Sequence, residues 1–496
     1  LPLPPSPGIV AGDLVKDRPK PQTVSTWPAA ALVISNMIGI GIFTSLGFQL
    51  AAFANGGVSQ LGGHVFPIML LWLVGGGLAL CGALCYAELA TALPRSGGEY
   101  TFLSRIYHPA VGFCTGLCSI TIGFAAPIAV SAVFFGDYLC RAFPQLVPYP
   151  PHFLSPTPTA AEAAQAMDAA RMHTAHFIAF ILVTIATAAH LRSIRFSGGF
   201  QAMTTAATVL LICAFVACGS AAPAQPVSFL PRAADGPLIL SSAFGSSLIW
   251  VMYSYSGWNA ASYIVGEVRN PGRSLPRALI MGTTFVVLLY ATITAVFLYT
   301  TPISALSGQP EVADLAGRHI FGPTGARIGN ALICVGLVAN VSAMMWIGSR
   351  VSQAIGSNYP ILSLFARTTS RGVPWASLLL QYVITATLLL FDPSKIVPYV
   401  ESVLFFWSLL AVVGVIVLRV REPDLPRPYR AWGYPVTPVL FAIIAVRLLM
   451  QTCQRHPVET TVGALTVLAG LPIYWYASRS MREEPAVPAT VPDQLL

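Results

Sequence analysis

Ten residues near the start of the chain, Ser35-Asn36-Met37-Ile38-Gly39-Ile40-Gly41-Ile42-Phe43-Thr44, set two glycines one residue apart inside a long apolar stretch. Glycine loosens a helix. In hydrocarbon an unpaired N–H or C=O is costly, so a break is tolerated only where the freed groups line a cavity or bind something. The chemistry such a break offers is anion binding. A helix that restarts presents unpaired N–H groups and about half a positive charge from its macrodipole, which suits a carboxylate. Small residues also serve close helix packing, but packing glycines recur every four residues, and Gly39 and Gly41 are two apart. A GxGxxG dinucleotide loop does not fit, because Thr44 stands where the third glycine belongs and no strand precedes it.

A counterpart lies two hundred residues on, in Tyr253-Ser254-Tyr255-Ser256-Gly257-Trp258-Asn259-Ala260, again polar and glycine-bearing within an apolar segment. Loosened carbonyls near Ser254 would receive an ammonium group while Tyr253 covers the apolar part of the ligand; plain aromatic packing is the other reading of these tyrosines. Interrupted apolar segments in corresponding positions of two halves point to the substrate site of a secondary transporter. Neither break contains Asp or Glu, which disfavours a cationic side chain in the ligand.

The elements that position these breaks follow from composition. Of 496 residues, 55% are hydrophobic and 9% charged, against about 25% charged in ordinary soluble domains. About twenty apolar residues cross a bilayer, and about twelve such spans are predicted, near 27–53, 65–92, 108–140, 173–191, 198–220, 241–265, 277–301, 326–354, 374–391, 397–418, 434–452 and 458–477. The net charge of +8 is spread singly between apolar runs and falls mostly on one side, among it Lys16, Lys20, Arg95, Arg105, Arg192, Arg269, Arg273 and Arg421. That pattern sets topology with both termini cytoplasmic and does not form a nucleic-acid face. Leu1 to Gln22 is Pro-rich and basic with no apolar signal core. The nine cysteines lie mostly inside apolar runs with no CxxC and read as buried hydrophobes. No Walker sequence, nucleophile–base pair or metal cluster appears, so the chain is not read as an enzyme and no cofactor is assigned.

Two stretches resemble a known family. Tyr86-Ala87-Glu88-Leu89 through Leu93-Pro94-Arg95-Ser96-Gly97-Gly98-Glu99-Tyr100 is similar to the loop after the second span of amino acid–polyamine–organocation (APC) superfamily permeases. Gly257-Trp258-Asn259, followed by Glu267-Val268-Arg269-Asn270-Pro271-Gly272-Arg273-Ser274-Leu275-Pro276-Arg277-Ala278, resembles their sixth span and following loop. The resemblance implies an all-α integral membrane protein with about 12 transmembrane helices, a leucine-transporter-like 5+5 inverted repeat, and discontinuous first and sixth helices. The domain plan is then a cytoplasmic tail over 1–26, a first repeat over 27–220, a second over 241–418, two further spans over 434–477 and a cytoplasmic tail over 478–496. By position, Ile38, Gly39, Ile40 and Gly41 match the carboxylate-binding break, and Tyr253, Ser254, Tyr255 and Ser256 the amine-binding break, with Tyr253 as lid. Relatives carry Ser or Ala at Ile40 and Gly at Ser256. Proton-coupled and exchanging relatives often place a Lys near Thr208, and the fifth span here has none. Asn259, where some exchangers have Glu, cannot titrate.

Other groups are candidates for coupling and gating. Glu88, Asp137 and Glu401 fall near span ends. Glu267 beside Arg269 and Arg273 would form an inner gate or a solvated cluster, and Phe405, with Phe406 and Trp407 beside it, would close the outer side or pack in the core. Asn340, Ser342 and Ser349 of the eighth span could hold sodium with carbonyls of the first, although such hydroxyls also bond their own helix. His173 and His176 have a metal-compatible spacing but make no site. The expectation is a secondary transporter of small or medium neutral amino acids in the plasma or inner membrane, with H+ or Na+ as coupling ion, by symport or exchange. A transporter of cationic amino acids or polyamines and a nontransporting amino-acid sensor are the alternatives. The partners are the amino acid and the lipid bilayer; oligomeric state and any accessory subunit are left unassigned.

Overall fold

The computed structural model describes residues 24–54, 63–148, 159–391 and 393–479. Most of both tails, and the side chain of Glu401, lie outside the described residues. The rest is helical, joined by turns and by two isolated bridges. The helices are α1 (Thr26–Met37), α2 (Gly41–Ala54), α3 (Phe66–Ala92), α4 (Glu99–Ile106), α5 (Pro109–Cys118), α6 (Ala126–Ala142), α7 (Ala160–Arg192) and α8 (Ile194–Ser220). They continue as α9 (Asp235–Ile239), α10 (Ser242–Tyr255), α11 (Pro271–Thr300), α12 (Ile303–Leu306), α13 (Val312–Asn358), α14 (Trp375–Leu388), α15 (Pro393–Arg421), α16 (Val436–Arg455) and α17 (Pro457–Arg479). A wider π-helical turn over Ser119–Ala125 joins α5 to α6.

Among the described residues ten segments, counting α1 with α2 and α5 with α6 as one each, are long and apolar enough to cross a membrane. Two of the about twelve predicted spans are shorter. Helix α10 has 14 residues because it stops at the second break, and α14 also has 14, a rise of about 21 Å.

Three helices begin well before the positions that hydropathy indicates. Helix α7 starts at Ala160, thirteen residues before the predicted span, because Ala-rich sequence is strongly helix-forming and Thr159 with Glu162 makes a complete capping box. Helix α11 starts at Pro271, whose fixed φ suits the first turn. Helix α13 starts at Val312 and bends at Gly322-Pro323, where Gly322 has φ 72°. The segment before the bend is polar enough to escape a hydropathy window, yet Asp314 ties it to Arg318 at 2.8 Å and Asn330 at 2.6 Å.

Around the first break, α1 packs on α8, α11 and α13, α2 on α10, and α3 on α11. Trp72, Tyr255 and Tyr290 fill the centre, with ring centroids 5.2–5.7 Å apart. Charges gather at the two ends. At one end Asp137 pairs with Arg141 and Arg171, both at 2.9 Å. At the other, Glu88 of α3 takes both nitrogens of Arg419 at 2.8 and 2.6 Å and the Ala431 N–H at 2.7 Å. At that end, too, the segment before α1 is clasped to the segment after the second break: Val24 donates to Glu267 O at 2.9 Å and accepts from Arg269 N at 2.8 Å.

Candidate functional site

Helix α1 ends at Met37 and α2 begins at Gly41, leaving Ile38, Gly39 and Ile40 outside either helix. The freed carbonyls are taken by side chains from far along the chain. Asn340 of α13 donates its amide to Ser35 O and Asn36 O, both at 3.0 Å, while its own oxygen accepts from Ser131 at 3.0 Å. Tyr290 of α11 donates to Met37 O at 2.6 Å. Gln201 of α8 bridges Ser35 Oγ at 2.6 Å and Ala339 O at 3.1 Å. The break is therefore braced from three neighbouring helices. Gly39 N–H turns back onto Met37 O at 2.8 Å and Phe43 N–H onto Ile40 O at 3.0 Å, so the donors offered at the opening of α2 are those of Gly41 and Ile42.

The second break begins where α10 ends at Tyr255. Gly257 has φ 100°, a conformation other residues rarely adopt, and its carbonyl accepts from Asn36 Nδ2 at 3.3 Å. The chain resumes as a 3₁₀ helix over Ala260–Glu267. The two breaks touch: Ser45 Oγ lies 3.0 Å from Ser254 Oγ, and Gln49 donates to Ser45 at 3.3 Å. A Cβ on Gly41 would stand 2.7 Å from Ser254 Oγ and 2.8 Å from its Cα. The positive start of α2 thus meets the negative end of α10, an arrangement that matches the two charges of a zwitterion.

The predicted site residues separate into groups. Ile38, Gly39, Ile40, Gly41, Ser254 and the partly buried Tyr253 and Ser256 all lie at the two breaks, with the side chains of Ile38 and Ile40 buried in the core. Tyr255 turns into the core against α3, donating to Trp72 O at 3.1 Å; it braces the break and does not line it. Phe405 is buried in α15, beside the Phe406–Trp407 ring pair.

The residues expected for the gate and the ion set carry contacts of their own. Glu267 pairs with Arg350 of α13 at 2.5 Å, both buried, a partner that the sequence reading did not name. Asn340 presents its NH2 to the carbonyls of Ser35 and Asn36. Ser342 is held by His190 at 3.0 Å, and Ser349 donates to Trp346 O at 2.8 Å and accepts from Arg350 at 3.2 Å. Glu88 is saturated by Arg419 and Ala431. Sequence reasoning missed Gln201, Tyr290, His190, Arg350 and Glu99, although each is a polar residue within or beside an apolar run, which is the signal that exposes them.

Residues 24–472 match the amino acid permease family model. Among curated proteins, the chain is 25% identical over 461 residues to Asc-type amino acid transporter 1 of Mus musculus, covering 90% of this chain and 79% of that one. It is 25% identical over 464 residues to large neutral amino acids transporter small subunit 2 of Homo sapiens (90% and 78% covered). It is 24% identical over 449 residues to b(0,+)-type amino acid transporter 1 of Mus musculus (90% and 85% covered).

Proposed function

The chain belongs to the amino acid permease family, and on that premise we propose that it carries small or medium neutral amino acids across the cell membrane by alternating access around the two breaks. The observation that carries the reading is the meeting of a helix start and a helix end at Gly41 and Ser254. In this reading N–H groups opening α2 hold the substrate carboxylate, and carbonyls ending α10 near Ser254 hold its ammonium group. Tyr253 covers the apolar side chain, and Phe405 and the Glu267–Arg350 pair close the two sides. The repeats run over 27–220 and 241–418, each beginning with a broken helix, with both termini in the cytoplasm. The Asn340 amide already occupies the carbonyls of Ser35 and Asn36, which supports a cycle independent of sodium.

Uptake of labelled alanine, leucine, glutamate and arginine into proteoliposomes tests this, with and without internal amino acid and with imposed proton or sodium gradients. Alanine or leucine should enter, driven by internal amino acid or by a proton gradient, and remain indifferent to sodium. Preference for arginine or glutamate would overturn the neutral assignment. Binding without movement would make the protein a sensor.

A further inference from the structure

Six acids are buried among the described residues: Glu88, Glu99, Asp137, Asp235, Glu267 and Asp314. Five are ion-paired, with Arg419, Arg141, Arg232, Arg350 and Arg318 respectively. Among the described residues Glu99 makes no ion pair. It opens α4 just after the Gly97-Gly98 turn and is 2% exposed. A single oxygen, Oε1, accepts from the Tyr86 phenol of α3, from Asn259 at 3.3 Å, and at longer range from Ser408 of α15 at 3.5 Å. Asn259 stands two residues past Gly257, so the carboxyl grips the second break itself and ties it to two other helices.

We propose that Glu99 is a proton-binding site through which protons enter the transport cycle. It is protonated in this buried conformation, and it releases the proton when residues 257–267 move away from α3 and α15 and admit water. The titratable groups facing it are phenols, Tyr86 of α3 and Tyr263 of the 3₁₀ helix. Helix α5 brings only the thiols of Cys114 and Cys118, α13 brings Arg350, bound to Glu267, and α15 brings Arg419, bound to Glu88, and Arg421, bound to Ile106 O. Burial without a cation pushes the carboxyl up to about 7 from an ordinary 4.5, against the pull of its three donors. Because the buried form holds the proton more tightly than a hydrated one, protons favour the buried conformation. That preference is complete below about 4.5 and is lost as pH rises through about 7.

The consequence for transport rests on the function proposed above; the proton site does not. Infrared difference titration of the purified full chain from about pH 5 to about pH 9 reads the protonated carboxyl directly. A carboxylic C=O band should fade with a midpoint near 7, be missing from Glu99→Gln, and fade at higher pH in Tyr86→Phe and Asn259→Ala, each of which removes a donor to the ionised form. A fading band unchanged in Glu99→Gln, or no shift in Tyr86→Phe, overturns the site; the second arm stands even if Glu99→Gln fails to fold. Uptake measured over the same pH range separates the two claims. A titrating Glu99 in a chain that moves no amino acid upholds the site and sinks the transport reading, while a titrating Glu99 with uptake flat in pH overturns the coupling.

Discussion

Gly41 admits no side chain. A Cβ would overlap Ser254 at both its hydroxyl and its backbone, and backbone cannot rotate aside as a side-chain tip can. Gly41→Val should therefore push the breaks apart and abolish amino-acid binding, read as loss of substrate-induced thermal stabilisation in a variant that still elutes as a folded species; normal binding would remove Gly41 from the site. Asn340 makes a second prediction at this scale. Replacing its amide by a carboxylate turns an acceptor towards the carbonyls of Ser35 and Asn36, leaving them unpaired at about 1–3 kcal/mol each. The same three oxygens are hard ligands suited to a small cation. Asn340→Asp should melt lower than the parent in choline chloride and recover in sodium chloride, while the parent melts alike in both.

The helical elements show what was and was not legible. Span positions could be read because bilayer thickness fixes the length of apolar runs, and both breaks could be read because glycine and polar residues interrupt them. Helix starts at Ala160 and Val312 could not, since capping and bending there are independent of hydropathy. The partner of Glu267 was equally hidden. Arg269 and Arg273 are near in sequence, but the 3₁₀ helix ending at Glu267 aims the carboxylate at α13 and Arg350. Removing one member of so buried a pair strands the other, at about 3–5 kcal/mol. Arg350→Ala should lower the melting temperature sharply, and adding Glu267→Ala should restore part of the loss, because neither charge is then orphaned. Additive losses would mean that the pair is not coupled.

At the scale of the whole molecule, composition and the apolar runs were enough for an all-helical membrane protein, but contacts joining residues two and three hundred positions apart were not. Asn340 to Ser35, Tyr290 to Met37 and Arg419 to Glu88 are each set by packing of helices distant in sequence, and a single sequence carries no record of which distant polar residues meet. The Val24 clasp belongs to the same class. It joins the segment that enters the first broken helix to the segment that leaves the second, so both halves of the candidate site hang from one knot at one end of the molecule. The knot works like a drawstring: tension applied to the chain ahead of Val24, by a fused domain, a tether or a bound partner, is delivered to both breaks together and not to one of them alone.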